Sequence, residues 1–347
     1  MGWLYGLLML IRNKLYDLGV FKVTSFDIPV ISVGNLSMGG TGKTPHVEYL
    51  IRLLGEDFKI VTLSRGYKRK TKGFKIADSN STVADIGDEA LQISKKFRNV
   101  IVAVDEDRVR GIKEIQKRFP ETDVIILDDA FQHRAVKPGL SILLTDYHHL
   151  YTRDHILPVG TLREFKSGAS RADFIIVTKT EKPLSPLIVR QLESTIRPKS
   201  NQQLLFSYIK YGVLQPLPGV KNHIIPEKIN NVLVFAGIGN IYPLLDHISR
   251  SVNTMEHFQF SDHHEYTTED FNAIKNQFES MLGKEKIIIT TEKDAARLAY
   301  PELPPQLADL PILYLPIEIK LHHEYRKGLN DQIRDYVRKN SRNKEIH

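Results

Sequence analysis

The run Val30-Ile31-Ser32-Val33-Gly34-Asn35-Leu36-Ser37-Met38-Gly39-Gly40-Thr41-Gly42-Lys43-Thr44-Pro45 limits what this chain can fold into more than any other stretch. A β-branched apolar segment passes through a glycine-rich turn into a segment whose Val47, Leu50, Ile51 and Leu54 recur at helical spacing. Strand, loop and helix start follow in that order, so that successive backbone N–H groups can surround a polyphosphate at the helix N-terminus. Gly42-Lys43-Thr44 closes the phosphate-loop pattern, with Lys43 reaching the β- and γ-phosphates and the Thr44 hydroxyl sitting on Mg²⁺. Ser37 stands where the opening glycine of the pattern belongs; Gly39, Gly40 and Gly42 still permit positive φ and close backbone approach. Pro45 loses only an N–H that has no intrahelical partner in a first turn. The expected nucleotide-binding set is therefore Ser37, Met38, Gly39, Gly40, Thr41, Gly42, Lys43 and Thr44.

A second signal lies downstream, where the apolar run Val124-Ile125-Ile126-Leu127 ends in Asp128-Asp129-Ala130-Phe131-Gln132-His133. A strand-end carboxylate after a phosphate loop supplies the group that holds hydrated Mg²⁺ opposite Thr44, and both Asp128 and Asp129 are candidates. Two adjacent aspartates can also cap a turn.

With 347 residues the chain can build two cores. Further strands are expected over 59–64, 100–104, 140–145 and 173–178, with an extended segment over 204–210. Pro183, Pro186, Pro198, Pro216 and Pro218 then mark a change of composition before a second α/β run opens at Asn231. The expected division is an amphipathic helix over 1–24, a phosphate-loop domain over 25–205, a linker over 206–228, and a smaller α/β domain over 229–347 that includes the C-terminal helix. The expected fold class is α/β, a phosphate-loop NTPase-like parallel sheet domain plus that smaller α/β domain.

The absence of cysteine excludes disulfides and thiolate metal sites. A formal net charge of +7 favours anionic partners without choosing among nucleotide, nucleic acid and acidic membrane. The apolar run before Arg12 is too short to span a bilayer, which takes about 20 residues. Leu4, Leu7, Leu8, Ile11, Leu15 and Leu18 can nevertheless share one helix face, to pack on a core or to lie on a membrane surface.

Four other features admit ordinary explanations. Arg65-Gly66-Tyr67-Lys68-Arg69-Lys70-Thr71-Lys72 follows a strand end, where α/β proteins place ligands, but a basic loop is also commonly solvated. Asp88 and Glu89 open a helical pattern, where acid favours the helix dipole. Gly237-Ile238-Gly239 fits a tight strand-to-helix turn. The adjacent His263 and His264 diverge on any regular element, so no metal is expected there.

A phosphate loop with a strand-end Asp pair leaves three classes open: a small-molecule or lipid kinase, a GTPase or ATPase switch docked at a membrane, and a non-enzymatic nucleotide-binding protein. Thr178-Lys179-Thr180-Glu181 imitates a guanine-binding motif, with Glu in place of the final Asp.

The phosphate loop, Leu63-Ser64-Arg65-Gly66-Tyr67, Gly87-Asp88-Glu89 and Leu127-Asp128-Asp129-Ala130-Phe131-Gln132-His133 together resemble the tetraacyldisaccharide 4'-kinase family of lipid A biosynthesis. So do Pro158-Val159-Gly160-Thr161-Leu162-Arg163-Glu164, Asp262-His263 and Thr291-Glu292-Lys293-Asp294. The resemblance implies ATP- and Mg²⁺-dependent phosphorylation of the 4'-hydroxyl of a tetraacylated glucosamine disaccharide 1-phosphate, at the cytoplasmic face of the bacterial inner membrane. It implies a peripheral protein, without a nucleic-acid partner and acting as a monomer, whose two α/β parts are joined by a short β linker. It also gives Asp88 the role of catalytic base in place of a cap, with His263 as its partner and Lys43 as the third catalytic group. Arg108, Gln132, His133, Arg163 and Glu164 become candidates for binding donor or acceptor. Where the family carries glycine this chain has Ala130, a difference expected to tighten the turn after the Asp pair.

Overall fold

The structure, a computed structural model, describes residues 2–222, 226, 228–283, 285–299 and 303–341. It divides into two units, Met1–Lys210 with Ile319–His347, and Tyr211–Glu318.

The larger unit runs α1 (Gly2–Asp17), β1 (Val30–Asn35), α2 (Lys43–Leu54), β2 (Ile60–Ser64), β3 (Lys75–Ile76), α3 (Val83–Ile86), α4 (Asp88–Lys96) and β4 (Ile101–Val104). It continues through α5 (Arg108–Arg118), β5 (Val124–Asp128), β6 (Leu140–Asp146), β7 (Phe174–Thr178), α6 (Pro186–Ile196) and β8 (Gln203–Tyr211). β1, β5 and β6 are buried at every position, as expected of parallel strands covered on both faces. β1 pairs in parallel with β5 on one side and β6 on the other, and β2 extends the parallel array beyond β5. Parallel pairing brings the C-terminal ends of β1, β5 and β2 to one edge of the sheet, the edge at which α/β folds bind ligands. The glycine-rich loop, the Asp pair and Arg65 thus leave the sheet side by side.

The smaller unit comprises β9 (Gln215–Pro216), β10 (Asn231–Ala236), α7 (Tyr242–Ser249), β11 (Thr254–Gln259), α8 (Thr268–Ser280), β12 (Lys286–Thr291), α9 (Glu292–Leu298) and β13 (Ile312–Leu315). Its strands are ordered β11-β10-β12-β13-β9, parallel except for β9. Leu233, Phe235, Ile288 and Ile312 pack there with Phe271, Ile274 and Phe278 of α8, whose N-terminus is fixed by a Thr267–Asp270 capping box.

The expected domain boundaries need correction. After β13 the chain returns through β14 (Ile317–Leu321), which joins the larger sheet next to β8, and ends in α10 (His323–Asn340). α10 belongs to the larger unit and not to the smaller one. Its Asn330 accepts a 2.5 Å bond from Tyr49, and its Tyr336 hydroxyl accepts one from the Val30 amide at 3.1 Å. The segment expected as a linker holds the end of one strand and a second short one: β8 runs to Tyr211, and β9 covers Gln215–Pro216 in the other sheet. Residues 223–225 and 227 of that segment lie outside the described residues.

Candidate active site

The loop after β1 is shaped by a few defined contacts. Gly39 and Gly42 have φ of 104° and 86°, the left-handed region open to glycine, and Gly42 caps α2 without a side-chain bond. Ser37 needs no such freedom, because it lies in an isolated antiparallel bridge with Leu162. The Met38 amide donates to Thr161 O at 2.7 Å and the Arg163 amide to Leu36 O at 2.7 Å. The departure from the opening glycine thus reflects a loop that enters its turn as an extended strand.

Asn35, fully buried, donates Nδ2 to Thr41 Oγ1 at 2.9 Å and so ties the start of the loop to its end. His46 lies 2.7 Å from Gly42 O through Nδ1 and 3.1 Å from Ser207 Oγ through Nε2. A carbonyl can only accept, so Nδ1 carries the proton and Nε2 accepts from the serine. Burial pushes the His46 pKa down to about 4, which keeps the ring neutral. Gly34 matters for a different reason: a Cβ there would meet Phe131 Cβ at 2.7 Å, so only glycine lets β1 approach the turn after the Asp pair.

The two aspartates differ sharply. Asp129 has φ of 47° and accepts two bonds from Arg163 Nη1 at 2.9 Å each, with Lys43 Nζ at 3.7 Å. Burial raises its pKa, but the charges of Lys43 and Arg163 outweigh burial and hold it below the usual value. Asp128 is 1 % exposed, and both of its carboxylate oxygens are buried without a hydrogen-bond partner. Burial, then the negative charges of Glu89 and Asp129, push its pKa well above the usual carboxylate range. A buried carboxylate with no protein donor beside a phosphate loop fits a hydrated divalent cation. Ala130 takes no positive φ and is buried, so the replacement of glycine introduces no strain.

The other expected residues are brought to the same edge but share out different work. Gln132 donates to Asn35 O at 2.7 Å and Glu164 Oε1 at 3.1 Å. Glu164, expected to bind substrate, is 1 % exposed. Its carboxylate accepts from Asn13 at 2.9 Å and Arg171 at 2.8 Å as well. It therefore fastens α1 to the site's loops and presents no accessible charge. Arg108 is buried and donates to the main-chain carbonyls of Asp105 and Asp128 at 2.7 and 3.3 Å. The His133 ring accepts the Arg108 amide at 3.3 Å.

Asp88 opens α4, is 5 % exposed, and accepts the Glu89 amide at 3.0 Å. Gly87 before it has φ of 83°, and a Cβ there would lie 2.7 Å from Tyr67 O. The smaller unit carries His263, at φ 58°, with Nε2 3.2 Å from Lys293 Nζ and Nδ1 3.2 Å from Arg297. Buried Asp294 anchors that cluster, accepting from the Gly237 amide at 3.1 Å and from Arg297 at 3.0 Å. The sequence motifs around Gly237, Asp262 and Thr291 thus meet within one unit. His264 is occupied with Asp270 at 2.8 Å and stacks on Phe260.

The guanine-motif imitation is used structurally: Lys179 pairs with Asp146 at 2.6 Å, and Thr180 donates to Ser207 O and faces His322. Asn35, His46 and Gly34 were given no role by the sequence, and Glu89 only that of an acid in a first helical turn. The partners Ser207 for His46 and Phe131 for Gly34 lie far along the chain, and only the apolar register of β1 hints that Gly34 points into the fold.

A glycine-rich turn between a central parallel strand and a helix, a lysine at its end, and a strand-end carboxylate on the adjacent strand define a phosphate-loop protein of the α/β class. The chain belongs to the tetraacyldisaccharide-1-P 4'-kinase family, whose model matches residues 1–337. A tetraacyldisaccharide 4'-kinase of Phocaeicola vulgatus is 46 % identical over 347 residues, covering 99 % of this chain and 95 % of the relative. One from Flavobacterium johnsoniae is 43 % identical, covering 97 % and 95 %. In three dimensions the chain is similar to the crystal structure described as "apo" form LpxK from Aquifex aeolicus in complex with ATP. That match has a TM-score of 0.71 at 29 % identity and covers 97 % of both chains.

Proposed function

We infer that this protein is an ATP-dependent kinase that phosphorylates the 4'-hydroxyl of a tetraacylated glucosamine disaccharide 1-phosphate. The observation that carries the reading is the loop itself, Gly42 in the left-handed region and Lys43 beside Asp129 at the head of α2, in a chain of this family. The acceptor oxygen attacks the γ-phosphorus, the bond from that phosphorus to the β–γ bridging oxygen breaks, and ADP leaves with the electron pair. Backbone amides from Gly39 to Thr44 bind the donor phosphates, and Lys43 steadies charge on the transferred group. Mg²⁺, when bound, neutralises charge on the β- and γ-oxygens. Thr44 and Asp128 are the residues proposed to hold it, because Asp129 is already engaged with two cations.

Asp88 is proposed as the carboxylate that takes the hydroxyl proton, and His263 as a second group in that transfer. Arg163, Gln132 and His133 are proposed to set the position of the acceptor. α1 is proposed to rest on the cytoplasmic face of the bacterial inner membrane. It turns Tyr5, Arg12 and Asn13 inward to hydrogen bonds and leaves Leu7, Leu8, Leu10 and Ile11 between 46 and 58 % exposed. Among the described residues no helix is long and apolar enough to cross a membrane.

The test is incubation of purified protein with labelled ATP, Mg²⁺ and the disaccharide lipid in detergent, comparing wild type with Lys43→Ala. Wild type is expected to give a bisphosphorylated lipid, and the variant to lose at least about 10²-fold in turnover with an unchanged thermal transition. Retained turnover in the variant removes the loop from the mechanism.

A further inference from the structure

The turn after β11 holds His263 at φ 58°, a backbone conformation that a residue with a side chain keeps only where its surroundings over-determine it. Its ring has a cation at each nitrogen: Arg297 Nη2 lies 3.2 Å from Nδ1, and Lys293 Nζ lies 3.2 Å from Nε2. Guanidinium and ammonium groups donate hydrogen bonds and accept none, whereas a neutral imidazole offers one lone pair and an imidazolium offers none. Only one of the two cations can therefore bond to the ring.

The lone pair falls to Arg297, because that guanidinium is fastened on its other side. Its Nη1 donates to Asp294 Oδ1 and to Gly237 O, both at 3.0 Å. Asp294, fully buried, is held in turn by the Gly237 amide at 3.1 Å and the Thr291 hydroxyl at 2.6 Å. The end of β10 approaches so closely that a Cβ on Gly237 would lie 3.2 Å from Asp294 Oδ1. β10 pairs in parallel with both β11 and β12, so the histidine and its anchor leave the sheet at the same edge. Lys293 is placed differently. Its ammonium, on a flexible stem, also has Asp262 Oδ1 at 3.3 Å, an acceptor it can use without the ring. Nε2 itself lies 3.7 Å from Asp262 Oδ2, so a carboxylate charge stands on the side where the ring's N–H is expected.

We propose that Arg297 is a positioning residue for His263: by taking the Nδ1 lone pair it fixes the ring as the tautomer protonated at Nε2. His263 then serves phosphoryl transfer as a hydrogen-bond donor to an oxygen, and the hydroxyl proton goes to another group. The proposal deepens the kinase reading above and rests on it. Which nitrogen of a histidine carries the proton is set by the bond that the other nitrogen makes. A buried carboxylate accepts from Nδ1 and leaves Nε2 the lone pair, which makes a base. A guanidinium donates to Nδ1 and leaves Nε2 the proton, which makes a donor. The order Asp294, Arg297, His263 thus inserts a cation between carboxylate and ring and reverses the role of the outer nitrogen.

The first measurement is a long-range proton–nitrogen correlation spectrum of the wild-type protein with isotope-labelled histidine, recorded above the ordinary imidazole midpoint of about pH 6.5. The His263 signals are assigned by their absence in His263→Gln. Nδ1 is expected as the nitrogen with the lone pair and Nε2 as the one bearing the proton; the reverse tautomer, or a mixture of the two, overturns the proposal. The second is a double-mutant cycle on phosphorylation of the disaccharide lipid in detergent. Arg297→Ala is expected to lower kcat about 10- to 100-fold while KM for ATP and lipid stay within about twofold, and Arg297→Lys to recover part of the loss. In a His263→Gln background the same change should cost less than about threefold, because its effect passes through the ring. An equal loss in both backgrounds, or an unchanged kcat in Arg297→Ala, overturns the proposal and leaves Arg297 a brace between α9 and β10. Should Arg297→Ala not fold, the wild-type spectrum decides. Should wild type phosphorylate no lipid, the kinase reading itself fails, a result distinct from the tautomer that the spectrum reads.

Discussion

Asp129 meets Arg163 and Lys43, whereas Asp128, one residue earlier, ends with both carboxylate oxygens buried and unpaired. A shared motif therefore holds one carboxylate engaged by two cationic side chains and one whose buried oxygens have no hydrogen-bond partner. Sequence spacing made the pair visible as strand-end acid, but the φ of 47° that turns Asp129 toward Arg163 comes from tertiary contacts. Ser37 shows the same limit from the other side. It breaks the expected pattern, yet the bridge to Leu162 that makes serine suitable joins segments far apart in sequence. Asp88 is the residue for which the local and family readings disagree. As an acid in the first turn of α4, where Gly87 and not Asp88 is the N-cap, its loss would cost about 0.3–1 kcal/mol of stability and little else. As a proton acceptor its replacement should act on the transition state. Asp88→Ala is expected to lower kcat about 10²- to 10⁴-fold while the Kd for ATP stays within a few-fold, as read by single-turnover kinetics and nucleotide titration. A variant that loses nucleotide affinity but keeps its turnover at saturation would return Asp88 to the role of a first-turn acid.

At the scale of elements, the periodic segments were legible. β1, α2, β5 and β7 lie where apolar runs and helical spacing place them, because those segments are buried and their patterns survive in any context. α1 was legible as amphipathic but not in orientation, since apolar spacing cannot say whether a face meets core or lipid. The structure gives its polar side to the protein, with Asn13 on Glu164 and Arg134 donating to Asn13 O. The apolar side is left outward. Charging that side, with Leu7→Glu and Leu8→Glu together, should abolish co-sedimentation with anionic vesicles while the far-ultraviolet spectrum and thermal transition stay unchanged. Undiminished vesicle binding would leave α1 without a membrane role. α10 was misassigned by the opposite error. Neighbourhood in sequence suggested the smaller unit, while Tyr336 and Asn330 place it against Val30 and Tyr49.

For the molecule as a whole, pH response follows from imidazoles kept neutral inside the larger unit. His46 is 3 % exposed, and burial lowers its pKa from 6.5 to about 4. The folded state thus binds fewer protons than the unfolded chain between those values. Its contribution to stability is complete above pH 6.5 and is lost as pH falls toward 4, by about 3 kcal/mol in all. His133, with its pKa likewise lowered to about 4, adds in the same direction. Denaturant titrations at a series of pH values should show stability declining through this window, with a smaller slope in His46→Gln. Identical slopes in variant and wild type would show that the ring is not buried neutral.

The chain leaves the larger sheet at the end of β8 and re-enters it through β14, and these two strands are neighbours. Strands side by side lie about 4.8 Å apart, so the exit and the re-entry are almost a single point. Topologically residues 212–316 are a detour between adjoining strands, and the larger sheet is continuous without them. A few residues of turn could bridge the gap, so a chain with 212–316 replaced by such a turn is expected to keep a cooperative thermal transition, as read by circular dichroism.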